Sequence, residues 1–212
     1  GLDLFVVWLM CALLPWTFFS NVVTGSMRVM TESENLIKKV HFPRWVLVVS
    51  NTFAALYQHM WELLILVVVV LILGSNILIY IPLVALTTIL LALFATGLGF
   101  FVAIANVHFR DTFHFMTIAF QLGFYASPIL YPVTYVKEVS DSIGPLVGPI
   151  EIMDIYNLNP FVHFAAIFRN LMYDGRWPEW PTFGIVAAIS IVTFLFGWRF
   201  FTKRQDYLAE AL

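Results

Sequence analysis

Two groups of polar side chains in this sequence have the residue types and the spacing that catalysis or metal binding would need. His108, Asp111 and His114 recur every three residues, so one side of a helix could present two imidazoles and a carboxylate. His59 and Glu62 have the same separation and could form an acid–base pair. Neither group is accompanied by a nucleophile, a glycine-rich phosphate loop or a Cys/His cluster. The sequence therefore predicts no catalytic residue and no metal ligand.

A line of polar residues follows the long apolar segment that begins at Trp45. At about 100° per residue, Asn51, Gln58 and Glu62 fall within about 20° of one line, and aromatic residues flank it. Because polar groups are costly in lipid, this face is predicted to line a bundle interior or a pathway. The alternative is hydrogen bonding between helices with no role in transport. Both interpretations turn the face away from lipid.

The elements that position these residues must lie in a membrane. Of 212 residues, 61% are hydrophobic and only 11% are charged, and the mean hydropathy is +0.88. A soluble domain carries about a quarter charged residues, and a chain of this size cannot hide such an excess of apolar side chains. The net charge of −2 offers no basic surface for nucleic acid. Soluble enzymes, DNA-binding domains and disordered regulators are therefore excluded.

Five segments are long and apolar enough to cross about 30 Å of hydrocarbon. The predicted fold is an all-α integral membrane protein with five transmembrane helices and short external helices. The predicted spans are Leu4–Val29, Trp45–Leu73, Ile77–Asn106, Phe113–Pro132 and Phe183–Phe201.

The distribution of lysine and arginine predicts the orientation of these spans. Eight basic residues fall in the first link, the link at Arg110 and the C-terminal tail, and three fall on the opposite side. The first link and the C-terminus are therefore predicted to be cytoplasmic. Five spans would leave Gly1 outside, so we expect an upstream segment with one more span.

The stretch 133–181 is predicted to be external and re-entrant or interfacial. Asn159–Pro160 is a helix start, apolar residues follow at helical spacing, and Gly175 ends the run. The preceding Ser127–Pro132 is predicted to be a re-entrant turn. Its aromatic neighbours could receive sugars or lipid headgroups, or could form an ordinary interfacial belt.

The link at residues 31–44 is short, charged and compatible with a helix up to Pro43. Leu36, Ile37 and Val40 form an apolar edge beside two lysines. A short amphipathic helix between two spans is suited to dock into a groove of a partner protein. A solvated linker is the alternative.

The run Asn-Leu-Ile-Lys-Lys-Val-His-Phe-Pro-Arg in this link, preceded by Leu14–Ser20, resembles permease subunits of ABC-2 type polysaccharide exporters. These export lipid-linked O antigen, teichoic acid or galactan. Arg110–Asp111, Ser127–Tyr131, Leu158–Pro160 and the Arg204–Asp206 tail also match, in the expected order.

The resemblance implies one transmembrane domain over residues 1–212, without the N-terminal interface helix and first of six spans. Two permeases would pair with two ATPase subunits, which would hold ATP and Mg²⁺, in a bacterial cytoplasmic membrane; no cofactor is expected on this chain. The cargo would be a glycan linked to undecaprenyl or a similar lipid. An ABC-2 permease for a drug or lipid, or a glycan-modifying membrane enzyme using His108 or His59, are the alternatives.

The resemblance also implies the roles of individual residues. Arg110 and Asp111 would form a cytoplasmic gate. The implied contact with the ATPase comprises Glu32, Glu34, Asn35, Leu36, Ile37, Lys38, Lys39, His41, Phe42, Pro43 and Arg44. The implied translocation pathway is lined by Trp16, Phe19, Asn51, Tyr57, Gln58, Trp61, Glu62, Gln121, Tyr125 and Tyr131.

Overall fold

The computed structural model describes residues 5–40, 42–145 and 151–205, and the described chain is helical with no strand. The helices are α1 (Phe5–Glu32), α2 (Glu34–Lys39), α3 (Trp45–Ile72), α4 (Ile81–His108), α5 (Thr112–Ala126), α6 (Val133–Ile143), α7 (Ile152–Asn157), α8 (Pro160–Met172) and α9 (Trp180–Arg204). A 3₁₀ helix, Leu78–Tyr80, leads into α4.

Four of these helices are long and apolar enough to cross a membrane. They are α1, α3, α4 with its 3₁₀ turn, and α9, with 28, 28, 31 and 25 residues. At 1.5 Å per residue the shortest is about 37 Å long, against about 30 Å of hydrocarbon. Four of the five predicted spans are confirmed, and the predicted all-α membrane fold is confirmed at this level.

Contacts between residues at the ends of the helices define the two ends of the bundle. The Arg44 guanidinium donates to the Gln205 carbonyl oxygen, and the Trp45 and Trp198 rings are 4.8 Å apart. A buried cluster that includes Met30, Val48, Val107 and Phe201 joins the ends of α1, α4 and α9 and the start of α3, at what we call the basic end. The basic residues there are Arg28, Lys38, Lys39, Arg44, Arg110, Arg199, Lys203 and Arg204. At the opposite end, Tyr80 Oη donates to the Gly175 carbonyl oxygen over 2.6 Å.

Two glycines bring the backbones of α4 and α9 into direct contact. A methyl group on Gly97 would lie 2.6 Å from the Thr193 carbonyl carbon, and one on Gly197 would collide with the Gly97 carbonyl oxygen. Small residues at such crossings let helices approach closely in lipid. The α4–α9 pair, with α1 packed on the other side of α4, forms the centre of the bundle.

The fourth predicted span, Phe113–Pro132, is shorter in the structure than expected. Helix α5 has 15 residues, about 22 Å, and ends at Ala126. Ser127 adopts extended angles, φ −107° and ψ 153°, because a residue before proline is disfavoured in the helical region. A buried turn, Ser127–Ile129, follows. The apolar run continues past the helix end, so hydropathy alone placed the boundary too late.

Helix α8 begins and ends where the sequence predicts. Asn159 Oδ1 accepts a hydrogen bond from the Phe161 amide over 3.0 Å, and Gly175 has a φ of +60°. Its apolar residues are buried against α1 and α4, with Phe164 and Phe168 fully enclosed. The helix therefore packs into the bundle instead of lying flat on its surface. Residues 146–150 of the external stretch lie outside the described residues.

Candidate functional site

A polar line on α1 faces away from the packed core. Thr17, Asn21, Thr24 and Arg28 fall within about 60° of each other around the helix. Asn21 and Arg28 are exposed, and the two threonines are half-buried. The sequence analysis did not identify this line, although its residues recur at helical spacing. Threonine and asparagine are less polar signals in an apolar segment than Glu62 and Gln58.

The predicted polar line on α3 lies beside it. Asn51 Nδ2 donates to the Val22 carbonyl oxygen over 3.0 Å, and Gln58 Nε2 donates to Glu62 Oε1 over 3.0 Å. A groove of about 300 Å³ separates α1 and α3. Its lining comprises Asn21, Thr24, Gly25, Arg28, Asn51, Ala54, Ala55 and Gln58. The α3 line therefore bonds partly to α1 and partly lines an open groove. A pathway along this line stays a prediction.

His59 and Glu62 pair at the edge of this line. His59 Nδ1 is 3.5 Å from Glu62 Oε2, and the imidazole stacks on the Phe18 ring with centroids 4.7 Å apart. His59 is only 1% exposed. Packing against Phe18 thus explains its position. His108, from the other group, bonds to the Ile104 carbonyl oxygen of its own helix.

A third polar line lies on α5, on the other side of α1. His114, Gln121 and Tyr125 fall within about 20° of one line and are exposed. The core side of the same helix packs on α1 through Phe120 and Phe124, whose rings are 6.0 and 6.3 Å from the Trp16 ring. Three neighbouring helices, α3, α1 and α5, therefore carry polar lines that their mutual packing leaves open. We call these lines together the polar face.

The predicted pathway aromatics fall into two groups. Trp16 and Phe19 are 8% and 7% exposed and belong to an aromatic cluster inside the bundle with Phe94, Phe120 and Phe161. Tyr57 and Trp61 are 66% and 54% exposed on α3. Tyr131, beyond α5, donates its hydroxyl to the Tyr125 carbonyl oxygen over 2.8 Å. The structure thus separates Trp16 and Phe19 from the exposed residues predicted with them.

A cleft of about 510 Å³ opens at the basic end, next to the polar face. It is lined by Arg28, Thr31, Glu32, Glu34, Asn106, Val107, Arg110, Phe113 and His114. Arg110 and Asp111, the predicted gate residues, are exposed in the turn between α4 and α5. Arg110 enters the cleft, and Asp111 precedes the first residue of α5.

The predicted coupling segment contains a short helix, but its boundaries differ. Glu32 still belongs to α1, and only Glu34–Lys39 form α2. Ile37 is buried at 4% exposure in a cluster with Met30 and Val48, whereas Leu36 and Val40 point outward. The predicted apolar edge is therefore divided: one residue anchors α2 and two are presented to the outside.

The polar residues of the coupling segment are mostly open. Lys38 Nζ is 2.6 Å from Glu34 Oε1, an ion pair that lowers the pKa of the Glu34 carboxyl. Asn35 and Lys39 are exposed, and Phe42 and Arg44 pack toward α3 and α9. Pro43 is exposed. His41 lies outside the described residues.

A buried cation at the opposite end was also missed by sequence reasoning. Arg169 on α8 donates to the carbonyl oxygens of Ile129, over 3.0 Å, and Trp8, over 3.4 Å. Its guanidinium carbon lies 3.4 Å from the Trp8 ring centre. Asn159, at the start of the same helix, donates to Ser127 Oγ over 2.9 Å. Helix α8 thus holds the turn after α5 at two points and joins it to α1.

Comparison with known proteins identifies the family of this chain. The family model described as "ABC-2 type transporter" matches residues 2–173. The chain belongs to the ABC-2 type transporter family. The resemblance found in the sequence is thereby confirmed.

Curated relatives of this ABC-2 permease carry one name. A protein of Myxococcus xanthus called "O-antigen export system permease protein RfbA" is 26% identical over 208 residues, which cover 98% of this chain and 76% of the relative. Two proteins of Klebsiella pneumoniae with the same name are 26% and 24% identical over 212 residues, with the same coverage. The ABC-2 permease is a multi-pass membrane protein and a transport component, not itself an enzyme.

Proposed function

We propose that this ABC-2 permease exports a lipid-linked polysaccharide, of the O-antigen, teichoic acid or galactan type, across a bacterial cytoplasmic membrane. The observation that carries the proposal is the polar face on α3, α1 and α5, which is open along helices that lipid would otherwise surround. Exposed polar side chains at membrane depth are costly unless they face protein or water. The export function named for the three relatives supports the choice of cargo.

The chain crosses the membrane five times in this proposal. Helix α4 ends at the basic end and α9 begins at the opposite end, so residues 109–179 must pass between them once. Helix α5 starts beside Arg28, whose guanidinium carbon lies 4.8 Å from the centre of the Phe113 ring. The last turns of α5 reach Trp16. Helix α5 and the turn Ser127–Ile129 provide this crossing, and α6, α7 and α8 form the external re-entrant segment.

The basic end is cytoplasmic in this proposal. Eight of the eleven lysines and arginines lie there, and cytoplasmic loops carry the excess of these residues. The C-terminus is then cytoplasmic, as is the turn at Arg110 and Asp111, which we assign to the cytoplasmic gate.

The pathway lies between two copies of the permease. One copy presents its polar face without enclosing it, so a second copy is needed to surround a polymer. Asn51, Gln58, Glu62, Gln121 and Tyr125 line the pathway directly, and Tyr57, Trp61 and Tyr131 flank it. Trp16 and Phe19 support its wall from inside, and a role in lining requires α5 to move away from α1.

Energy comes from a separate ATPase subunit that binds ATP and Mg²⁺. Helix α2 seats in a groove of that partner through Leu36, Lys38, Lys39 and Val40, while buried Ile37 connects it to the bundle. Movement of the ATPase is transmitted through this anchored helix to α1 and α3. The other predicted coupling residues from Glu32 to Arg44 surround this contact.

The test begins with tagged full-length protein purified from its native membranes in mild detergent, with co-purifying proteins identified by mass spectrometry. We expect a stoichiometric nucleotide-binding ATPase. Proteoliposomes of that complex should then move lipid-linked glycan to the far leaflet in the presence of ATP, detected by a lectin.

The control is the same complex with an ATPase that binds but does not hydrolyse ATP, which should move no glycan. A protein that purifies without an ATPase and modifies glycan alone would contradict the proposal. ATP-dependent transport of a phospholipid or drug without transport of glycan would retain the family and replace the cargo.

A further inference from the structure

Three elements bring nitrogen donors to the cleft at the basic end. Arg28 comes from α1, Arg110 from the turn after α4, and His114 from α5. The volume of about 510 Å³ lies within the range of about 300–1,000 Å³ that is usual for small-molecule sites. Guanidinium groups from separate elements converging on one cavity are suited to bind phosphate oxygens.

No carboxylate of the described residues pairs with the two arginines, so their guanidinium groups are available to a ligand. Arg28 lies over the Phe113 ring, 4.8 Å from its centre, and an aromatic face positions a guanidinium without neutralising it. Within residues 5–40, 42–145 and 151–205, neither Arg28 nor Arg110 has a carboxylate within 4.0 Å. Two arginines and two glutamates line the cleft, and Lys38, which pairs with Glu34, places a further positive charge beside it.

The cleft also contains acceptors that phosphate would not use. Asn106 is 5% exposed, its Nδ2 donates to the Met27 carbonyl oxygen over 3.3 Å, and its Oδ1 has no partner among the described residues. A buried oxygen of this kind costs free energy until a donor reaches it. Glu32 is a second acceptor without an ion pair in the described chain. Hydroxyl groups of a sugar provide such donors.

We propose that this cleft binds the diphosphate and first sugar of a lipid-linked glycan. Arg28, Arg110 and His114 donate to the phosphate oxygens, and Asn106 and Glu32 accept hydrogen bonds from sugar hydroxyls. Asn106 lies in the last turns of α4, so the diphosphate sits at the depth where the spans end and its lipid remains in the hydrocarbon. This inference rests on the proposed function and assigns a site to its cargo.

The test measures binding to the full-length permease in detergent by isothermal titration calorimetry. The probes are farnesyl diphosphate, the same lipid carrying one N-acetylglucosamine, inorganic pyrophosphate and dioleoylphosphatidylglycerol. Arg28→Gln and Arg110→Gln should each weaken binding of both diphosphate lipids at least tenfold. Arg199→Gln, which removes an exposed arginine at the same end but outside the cleft, should change it less than twofold.

The sugar arm uses Asn106 and Glu32. Asn106→Leu and Glu32→Gln should weaken binding of the glycosylated lipid and leave farnesyl diphosphate within twofold. Glu32→Gln keeps the assignment testable if Asn106→Leu lowers the thermal midpoint, because Glu32 does not pack in the core.

Equal losses in Arg28→Gln, Arg110→Gln and Arg199→Gln would overturn the proposal in favour of general surface attraction. Phosphatidylglycerol or pyrophosphate binding as tightly as the diphosphate lipid would overturn it in favour of a lipid headgroup or a free anion. The assay contains neither ATPase nor transport, so its outcome is separate from that of the export test. Binding through the cleft with no glycan export would retain the site and remove the proposed function.

Discussion

At the scale of single residues, Arg169 shows how one buried side chain can hold three elements. Its guanidinium bonds to carbonyl oxygens of α1 and of the turn after α5, and covers the Trp8 ring. Burial lowers the pKa of Arg169 to about 10, so the group is still charged at neutral pH. Its donors in a fixed plane suit two acceptors and a ring at once, which the point charge of lysine does not.

Replacing Arg169 by lysine should therefore destabilise the permease although the charge is kept. We expect a loss of about 2 kcal/mol in the free energy of unfolding, since one hydrogen bond to a charged group is lost. Unfolding by SDS in mixed micelles measures this. Arg176→Lys, at an exposed position of the same end, is the control and should change it by less than about 0.5 kcal/mol. Equal effects of the two substitutions would show that the contacts of Arg169 do not stabilise the fold.

At the scale of elements, α2 is anchored by one residue and presents its lysines outward. Lys38→Glu with Lys39→Glu should uncouple transport from ATP hydrolysis, because the charge reversal changes the docking surface and leaves Ile37 in place. Transport should fall at least tenfold in proteoliposomes while the ATPase activity persists. The control Lys203→Glu reverses a charge at the same end on α9. Normal export from the α2 double variant would remove the coupling assignment.

The close contact of α4 and α9 predicts opposite effects for two glycines of one helix. Gly197→Ala should destabilise the bundle by several kcal/mol, because its methyl group meets backbone and not a flexible side chain. Gly184→Ala should be neutral or stabilising by up to about 1 kcal/mol, since nothing lies within 4 Å and alanine favours helix. Thermal midpoints of the two purified variants compare them directly. Similar midpoints would contradict the crossing.

Sequence reasoning predicted the elements well and their facing directions less well. Asn159–Pro160 and Gly175 fixed both ends of α8, and the polar line of α3 was found from spacing alone. Ile37 was placed on an outward edge but is buried, and Trp16 was placed in a pathway but lies in an aromatic cluster. Hydropathy and helical spacing indicate whether a side chain avoids lipid or avoids water. They do not report which neighbouring helix covers it.

At the scale of the whole molecule, the polar face predicts which surface meets water in the assembled transporter. The described chain has one free cysteine, Cys11, which is fully buried. Gln121→Cys and Asn21→Cys should therefore be labelled by a membrane-impermeant thiol reagent, because both positions are exposed on the polar face. Phe196→Cys, 67% exposed on α9, should resist the reagent because lipid covers it. Resistance of Gln121→Cys and Asn21→Cys equal to that of Phe196→Cys would place the polar face in lipid.

The glycine contact between α4 and α9 also predicts that these two helices move as one rigid pair. No layer of side chains lies between the two backbones there, so sliding one past the other has no alternative packing to enter. We therefore expect conformational change to come from helices outside this pair, with α5 shifting against it. Spin labels on α4 and α9 should keep one distance through the nucleotide cycle, whereas a label on α5 should change its distance to both. The pair thus provides a fixed reference against which the opening of the transporter can be measured.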